Sequence, residues 1–272
     1  MFDNLARLFR YRGLIQSLVA RELKARYRGS FLGFFWSFIN PLLLLLVYSF
    51  VFTYVMTGAH DKRVEPYALF MFCGILPWTW FSSSLTESAG VLISGGNLIK
   101  KVLFPAEILP IVSVLANMIH FFFGLPILAG FLIYYHRPLH GGELALFPLV
   151  VLVQLVLTLG FALVLSALTV HFRDIRDILS NLLTFWFFAT PVIYPYFIFD
   201  DPANPAHQTW QATLLKLNPF THLVITYQEI LFFDGPVGHL KLLLLLGVSS
   251  VAFFLFGYFV FDRMRDTFAE EV

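Results

Sequence analysis

Apolar residues along this chain come in blocks too long for a soluble fold. Nearly uninterrupted apolar runs cover residues 34–56, 67–93, 108–135, 144–170, 178–199 and 240–261. One helical crossing of the hydrocarbon core of a bilayer needs roughly 20 such residues. The pattern therefore predicts an all-α integral membrane protein with six transmembrane helices. Between the runs, residues 57–66, 94–107, 136–143, 171–177 and 200–239 are polar or punctuated by Gly and Pro. No internal repeat or low-complexity segment interrupts this order.

Two segments fit neither a span nor a plain linker. Near the start, Leu14, Ile15, Leu18, Val19 and Leu23 recur at helical spacing beside Arg21, Lys24, Arg26 and Arg28. That spacing predicts an amphipathic helix within residues 1–30, lying flat in the membrane interface with its basic side among lipid phosphates. A cluster of charges that merely orients the chain is the other reading. Residues 200–239 hold Pro202, Pro205, Trp210, Pro219 and the amphipathic run 220–233. Structureless loops of that length are uncommon, so short helices partly re-entering the outer leaflet are expected here, against the alternative of an exposed loop.

Composition sharpens the reading. Hydrophobic residues make up 58% of the chain and charged ones 13%, about half the share of a typical soluble domain. A net charge of +1 gives a nucleic-acid partner no electrostatic support. Placement matters more. With alternate segments on alternate sides, Arg7, Arg10, Arg12, Arg21, Lys24, Arg26, Arg28, Lys100, Lys101, Arg173, Arg176, Arg263 and Arg265 fall on one face. Only Lys62, Arg63, Arg137, Lys216 and Lys241 fall on the other, so the positive-inside rule places both termini in the cytoplasm. The seven basic residues of the first thirty, without a short apolar core and cleavage site, do not read as a secretory signal. Cys73 is the single cysteine, which excludes an internal disulfide and multi-cysteine metal sites.

Catalytic signatures are absent. There is no phosphate-cradling G-x-x-x-x-G-K-[ST] loop, no H-E-x-x-H and no G-x-S-x-G. His136 and His140 flank Arg137-Pro138 in a short loop, a poor frame for a metal. Glu87 is the one carboxylate well inside a run, about 20 residues from its start, near the cytoplasmic boundary at 1.5 Å per residue. It reads as a hydrated partner for Arg or Lys rather than a proton relay, and His120 as a hydrogen-bonded packing residue. Aromatics reach 18% of the chain. Interface belts account for Trp36, Tyr48, Tyr54, Trp78 and Trp80. They account less well for Phe185, Trp186, Phe187 and Phe188 with Tyr194 and Tyr196 around Pro191 and Pro195. Flat rings with few fixed charges suit the C–H faces of a sugar chain; packing and lipid contact are the competing roles.

Arg26, Tyr27, Ser30, Leu32, Gly33, Trp36 and Pro41 spell R-Y-x-x-S-x-L-G-x-x-W followed by a proline-bearing span. That pattern, with residues 97–105, 172–177, 190–195 and Asn218-Pro219-Phe220, resembles ABC-2 type permeases that export O-antigen, capsular polysaccharide or teichoic acid. The resemblance runs over nearly the whole chain, in order. It implies a single ABC-2 type transmembrane domain over residues 1–272, working as a homodimer in the bacterial inner membrane. Two copies of a separate ATPase would carry ATP and Mg, leaving this chain without a cofactor. By position, residues 94–107 would form a cytoplasmic coupling helix, with Asn97, Lys100, Lys101, Phe104 and Pro105 meeting the ATPase. Arg21, Lys24, Arg26 and Arg28 would line the cytoplasmic mouth for a pyrophosphate-linked carrier. Phe31, Phe34, Phe35 and Phe38, with Phe185, Trp186, Phe188, Tyr194 and Tyr196, are the candidate lining of the glycan channel. A permease for drugs or other small hydrophobic substrates shares the fold without needing the signature. A membrane enzyme acting on lipid-linked sugars would need more acidic or His residues at one depth than Glu87 and His120.

Overall fold

All regular structure among the described residues is helical. The structure, a computed structural model, describes residues 11–55, 62–101, 104–137, 141–199 and 210–271, leaving aside the side chains of Phe34, Phe52, Thr53, Asn97, Ile99, Lys101, Ala269 and Glu270. In chain order the helices are α1 (Arg12–Arg26), α2 (Trp36–Phe50), α3 (Tyr67–Ser94), α4 (Gly96–Lys101), α5 (Ile108–Tyr134) and α6 (Gly141–Leu144). They continue with α7 (Phe147–His171), α8 (Ile175–Phe188), α9 (Trp210–Leu217), α10 (Pro219–Leu231), α11 (Leu240–Met264) and α12 (Phe268–Glu271).

Among the described residues, four stretches are long and apolar enough to cross a membrane: Tyr67–Ser94, Ile108–Tyr134, Gly141–His171 and Leu240–Thr267. The other two apolar runs form shorter helices. α2 has 15 residues, and the run continues as a wide turn over Val51–Val55. The run at 178–199 does not stay helical to its end. α8 stops at Phe188, and the chain turns through Thr190–Pro195 before one tight turn at Tyr196–Ile198. Pro191 and Pro195 supply no N–H and push the preceding Thr190 and Tyr194 out of the helical region, so hydropathy overestimates this helix.

α3 is the central post. Of its most apolar stretch 78% is buried, against 28% for α11 on the flank. α2, α5, α7, α8 and α10 all pack on it. Its Pro77 lies inside the helix, and the Pro77 carbonyl accepts from Gln154 Nε2 of α7 at 2.8 Å. α7 and α11 approach so closely that a Cβ on Gly257 would lie 2.6 Å from the Gly160 carbonyl oxygen. Small residues permit such backbone contact between membrane helices, where dispersion replaces the hydrophobic effect as the driving force.

Of the described part of residues 200–239, Trp210–Leu217 and Pro219–Leu231 are helical, and residues 232–239 form a turn before α11. α10 is buried along nearly its whole length, and its first ring, Phe220, packs on Trp78 and Phe81. Those residues stand 11 and 14 positions into α3, about 16–21 Å from its start at 1.5 Å per residue. α10 therefore dips between the long helices, while α9 stays largely exposed. Residues 200–209, with Pro202 and Pro205, lie outside the described residues, as do 1–10, 56–61 and 138–140, including the His140 of the proposed-against metal pair.

Basic residues separate toward the two ends of the bundle. Arg26 meets Glu87 near the end of α3, Arg176 approaches Gly90, and Thr267 beyond α11 bonds His171 Nε2 at 3.1 Å. At the opposite end, Arg137 after α5 donates to the Glu65 carbonyl before α3.

Candidate functional site

α1 is held against the bundle by two apolar residues. Leu18 and Val19 are buried against Ile108, Val112 and Ala116 of α5, while Arg21, Lys24 and Arg28 stay exposed. The apolar side of α1 therefore packs on α5. Lys24 and Arg26 occupy its last turn, where cations complement the helix dipole. The chain then reverses through Gly29 and Gly33, whose φ of +81° and +48° lie in the left-handed region that glycine enters without penalty. Trp36 closes the turn by donating its indole N–H to Ser30 Oγ at 2.9 Å.

The turn brings the signature's polar side chains beside those of α3 and α5 in neighbouring hydrogen-bonded groups. Arg26 donates to Glu87 Oε2 of α3 and, at 3.1 Å, to Asn117 Oδ1 of α5. Asn117 Nδ2 donates to Glu87 at 2.7 Å and to the Ser113 carbonyl at 3.0 Å. The Tyr27 hydroxyl accepts from Ser37 Oγ at 2.8 Å and lies 3.3 Å from His120 Nδ1. His120 thus packs edge-on to Tyr27 and Phe123, in a hydrogen-bonded position. Around these groups lies a cavity of about 340 Å³, bordered by Arg26, Tyr27, Trp36, Asn40, Asn117 and His120. A second cavity of about 300 Å³ sits on the other side of Glu87, with Arg21, Glu22, Ser94 and Arg176 on its walls. The Arg26 and Glu87 side chains are 24% and 36% exposed, so the pair is half-hydrated, between a solvent bridge and a buried one. Of the four basic residues assigned to the mouth, Arg26 alone is held by internal partners; Arg21, Lys24 and Arg28 point outward.

The aromatic candidates divide. Phe31, Phe35, Phe185 and Phe188 are exposed at 103%, 68%, 71% and 58%. On α8 the open face also carries Asn181 and Thr184, whereas Leu179 and Leu183 face the core. Phe38 packs on Phe123, and the Phe34 side chain lies outside the described set. Trp186 turns the other way, into a nest with Trp78, Phe81 and Phe161. Tyr194 donates to the Phe188 carbonyl at 3.1 Å, and Tyr196 packs edge-on to His239. Helical spacing groups Phe185 with Phe188 correctly but places Trp186, one residue on, about 100° around the helix.

With the geometry in place, comparison with known proteins is decisive. Residues 13–232 match the ABC-2 type transporter family. The chain belongs to that family. Among relatives of this ABC-2 chain, the O-antigen export system permease protein RfbA of Myxococcus xanthus is 42% identical over 266 residues, spanning 97% of each chain. Two proteins of that same name from Klebsiella pneumoniae are 29% and 28% identical, covering 98% of this chain and 96% of their own.

Within this ABC-2 chain the segment expected to meet an ATPase forms α4, with Lys100 exposed. The side chains of Asn97 and Lys101 and all of residues 102–103 lie outside the described set. Phe104 is half-buried between the Leu92–Phe261–Phe268 and Leu18–Ile108 clusters, so it anchors the segment from beneath. Pro105 follows it, also half-buried, and opens the turn into α5.

Three polar residues that shape these sites carry little signal of their own in the sequence. Asn117 and Gln154 are isolated polar positions in apolar runs, and that isolation is the clue. Asn218 belongs to one of the family-like motifs, but its partners come from another: Thr190 Oγ1 and the Ala189 carbonyl at 2.9 and 3.1 Å.

Proposed function

We propose that this chain is the permease subunit of an ATP-driven exporter of lipid-linked polysaccharide, O-antigen or a similar glycan. The observation that carries the reading is the end-to-end similarity to O-antigen export permeases, joined to a signature whose residues converge on one cavity. Two copies would face each other across the open aromatic sides of α2 and α8. Both helices pack on α3, while Phe31 and Phe35 just before α2 and Phe185 and Phe188 on α8 stay uncovered. A lining of rings holds each sugar weakly and alike, which is what permeation of a polymer needs, since conduction requires binding that also releases. Arg21, Lys24 and Arg28 would attract the pyrophosphate of the carrier at the cytoplasmic mouth. Two ATPase copies bound at α4 would supply hydrolysis, with ATP and Mg on those partners.

In this reading all six apolar runs lie in the bacterial inner membrane, with α2 and α8 as shorter elements and α9–α10 re-entering from outside. Both termini are cytoplasmic, following the partition of Lys and Arg. The test is deletion of the gene followed by staining for surface polysaccharide. Loss of the glycan, restored by the chain together with its neighbouring ATPase, is expected. Intact surface glycan with increased drug sensitivity would instead identify an exporter of small hydrophobic compounds.

A further inference from the structure

At the end of the bundle remote from Arg26 lies a third cavity that the transport reading does not use. It measures about 670 Å³, within the roughly 300–1,000 Å³ of small-molecule sites. Among the described residues its walls include Arg63, Arg137, Tyr196, Phe197, Glu229 and His239. Those residues come from four separate places: the segment before α3, the end of α5, the turn after α8, and the ends of α10 and α11.

Its polar groups are fixed in place. Glu229 accepts from the His239 backbone N–H at 3.2 Å and pairs with His239 Nδ1 at 2.6 Å. The Arg63 guanidinium lies 3.9 Å from the centre of the Phe197 ring, and that of Arg137 lies 4.7 Å from the Phe232 ring. These cation–π contacts orient both guanidinium groups, and Arg137 also donates to the Glu65 carbonyl. The Phe197 and Phe233 rings stand edge to face at 6.2 Å. Two arginines against Glu229 and the exposed Asp234 leave the cavity nearly neutral, which disfavours a free anion. Flat rings beside carboxylate and guanidinium groups match a pyranose, which offers an apolar C–H face and a rim of hydroxyls that donate and accept.

We infer that this outer cavity is a binding subsite for one sugar unit of the emerging glycan. The inference rests on the export reading and adds a site outside the conduit. A unit captured here biases the polymer against sliding back, because leaving the site costs its binding free energy.

The full-length chain carrying Asp234→Cys, reconstituted in proteoliposomes, provides the test. Native Cys73 is fully buried and serves as an unreactive background. The rate of reaction with a membrane-impermeant maleimide is measured with and without polysaccharide released by mild acid from the producing cell's surface. At least about threefold slowing is expected once the glycan exceeds a millimolar Kd. Dextran and inorganic phosphate should leave the rate unchanged, and Glu229→Gln with Phe197→Leu should abolish the protection. No protection up to about 10 mM in repeat units, above the range of weak binding, overturns the subsite. Equal protection by dextran, or protection by phosphate, also overturns it. Surface glycan lost on gene deletion but no protection at Asp234→Cys sinks the subsite alone; glycan unchanged on deletion sinks both readings.

Discussion

The indole N–H of Trp186 donates to Oδ1 of Asn218 at 2.8 Å, joining the last turn of α8 to the cap of α10 across 32 residues. The same Oδ1 accepts from the Phe220 backbone N–H at 3.0 Å, and Nδ2 reaches Thr190 and Ala189. One amide thus caps α10 while stopping α8. Asn218→Ala leaves a half-buried indole N–H and a carbonyl unpaired. It should cost about 1–3 kcal/mol and lower the detergent unfolding temperature, whereas Asn218→Asp should keep the Trp186 contact and lose less.

Because Trp186 packs half-buried against the core and Phe185 and Phe188 are open, the two kinds of aromatic substitution should separate. Phe185→Ala with Phe188→Ala should reduce glycan export strongly at normal protein levels and thermal stability. Trp186→Ala should lower thermal stability, by less than the roughly 3–5 kcal/mol that deletion of a fully buried ring costs. Normal export from the Phe185/Phe188 pair would place those rings against lipid instead of sugar.

Arg26 and Glu87 neutralise each other in a half-hydrated site, with Asn117 completing the triangle. Removing either charge alone strands the other. Arg26→Met and Glu87→Met should each impair folding yield and export, and the double variant should be milder than their sum by about 1–2 kcal/mol of coupling. Strict additivity in a double-mutant cycle would show that the pair does not act as a unit.

The contact between Gly160 and Gly257 sets the spacing of α7 and α11. Gly257→Leu should drive the helices apart and abolish stable expression, measured by fluorescence-detected size-exclusion of a tagged chain. Gly130→Leu is the control: a Cβ there meets nothing within 4 Å, so little change is expected.

Coupling to the ATPase is expected at α4. Lys100→Glu with Lys101→Glu should leave membrane insertion intact while export falls and the pair no longer co-purifies with the ATPase. Undiminished export would remove α4 from the interface.

How much of this was legible beforehand differs by element. Hydropathy located the long helices α3, α5, α7 and α11, because a membrane demands length and apolarity of each crossing regardless of its neighbours. The fifth run was overestimated because its apolar composition outweighed Pro191 and Pro195, although both were visible punctuation. For Glu87 the sequence predicted a basic partner, but the choice of Arg26 among eighteen basic residues came from the turn at Gly29 and Gly33.

By itself, the sequence determined the helical architecture, the two-ended distribution of Lys and Arg, and the signature that leads to the family. These are properties of composition and local order, and each residue contributes to them without knowing its contacts. Only the tertiary structure decided that Trp186 turns inward while Phe185 turns out, that Asn218 joins two distant motifs, and that Glu229 meets His239 beside Arg63 and Arg137. Such pairings depend on helix rotation and on which elements the fold brings side by side. A rotation of about 100° per residue exchanges core for surface without changing hydropathy at all.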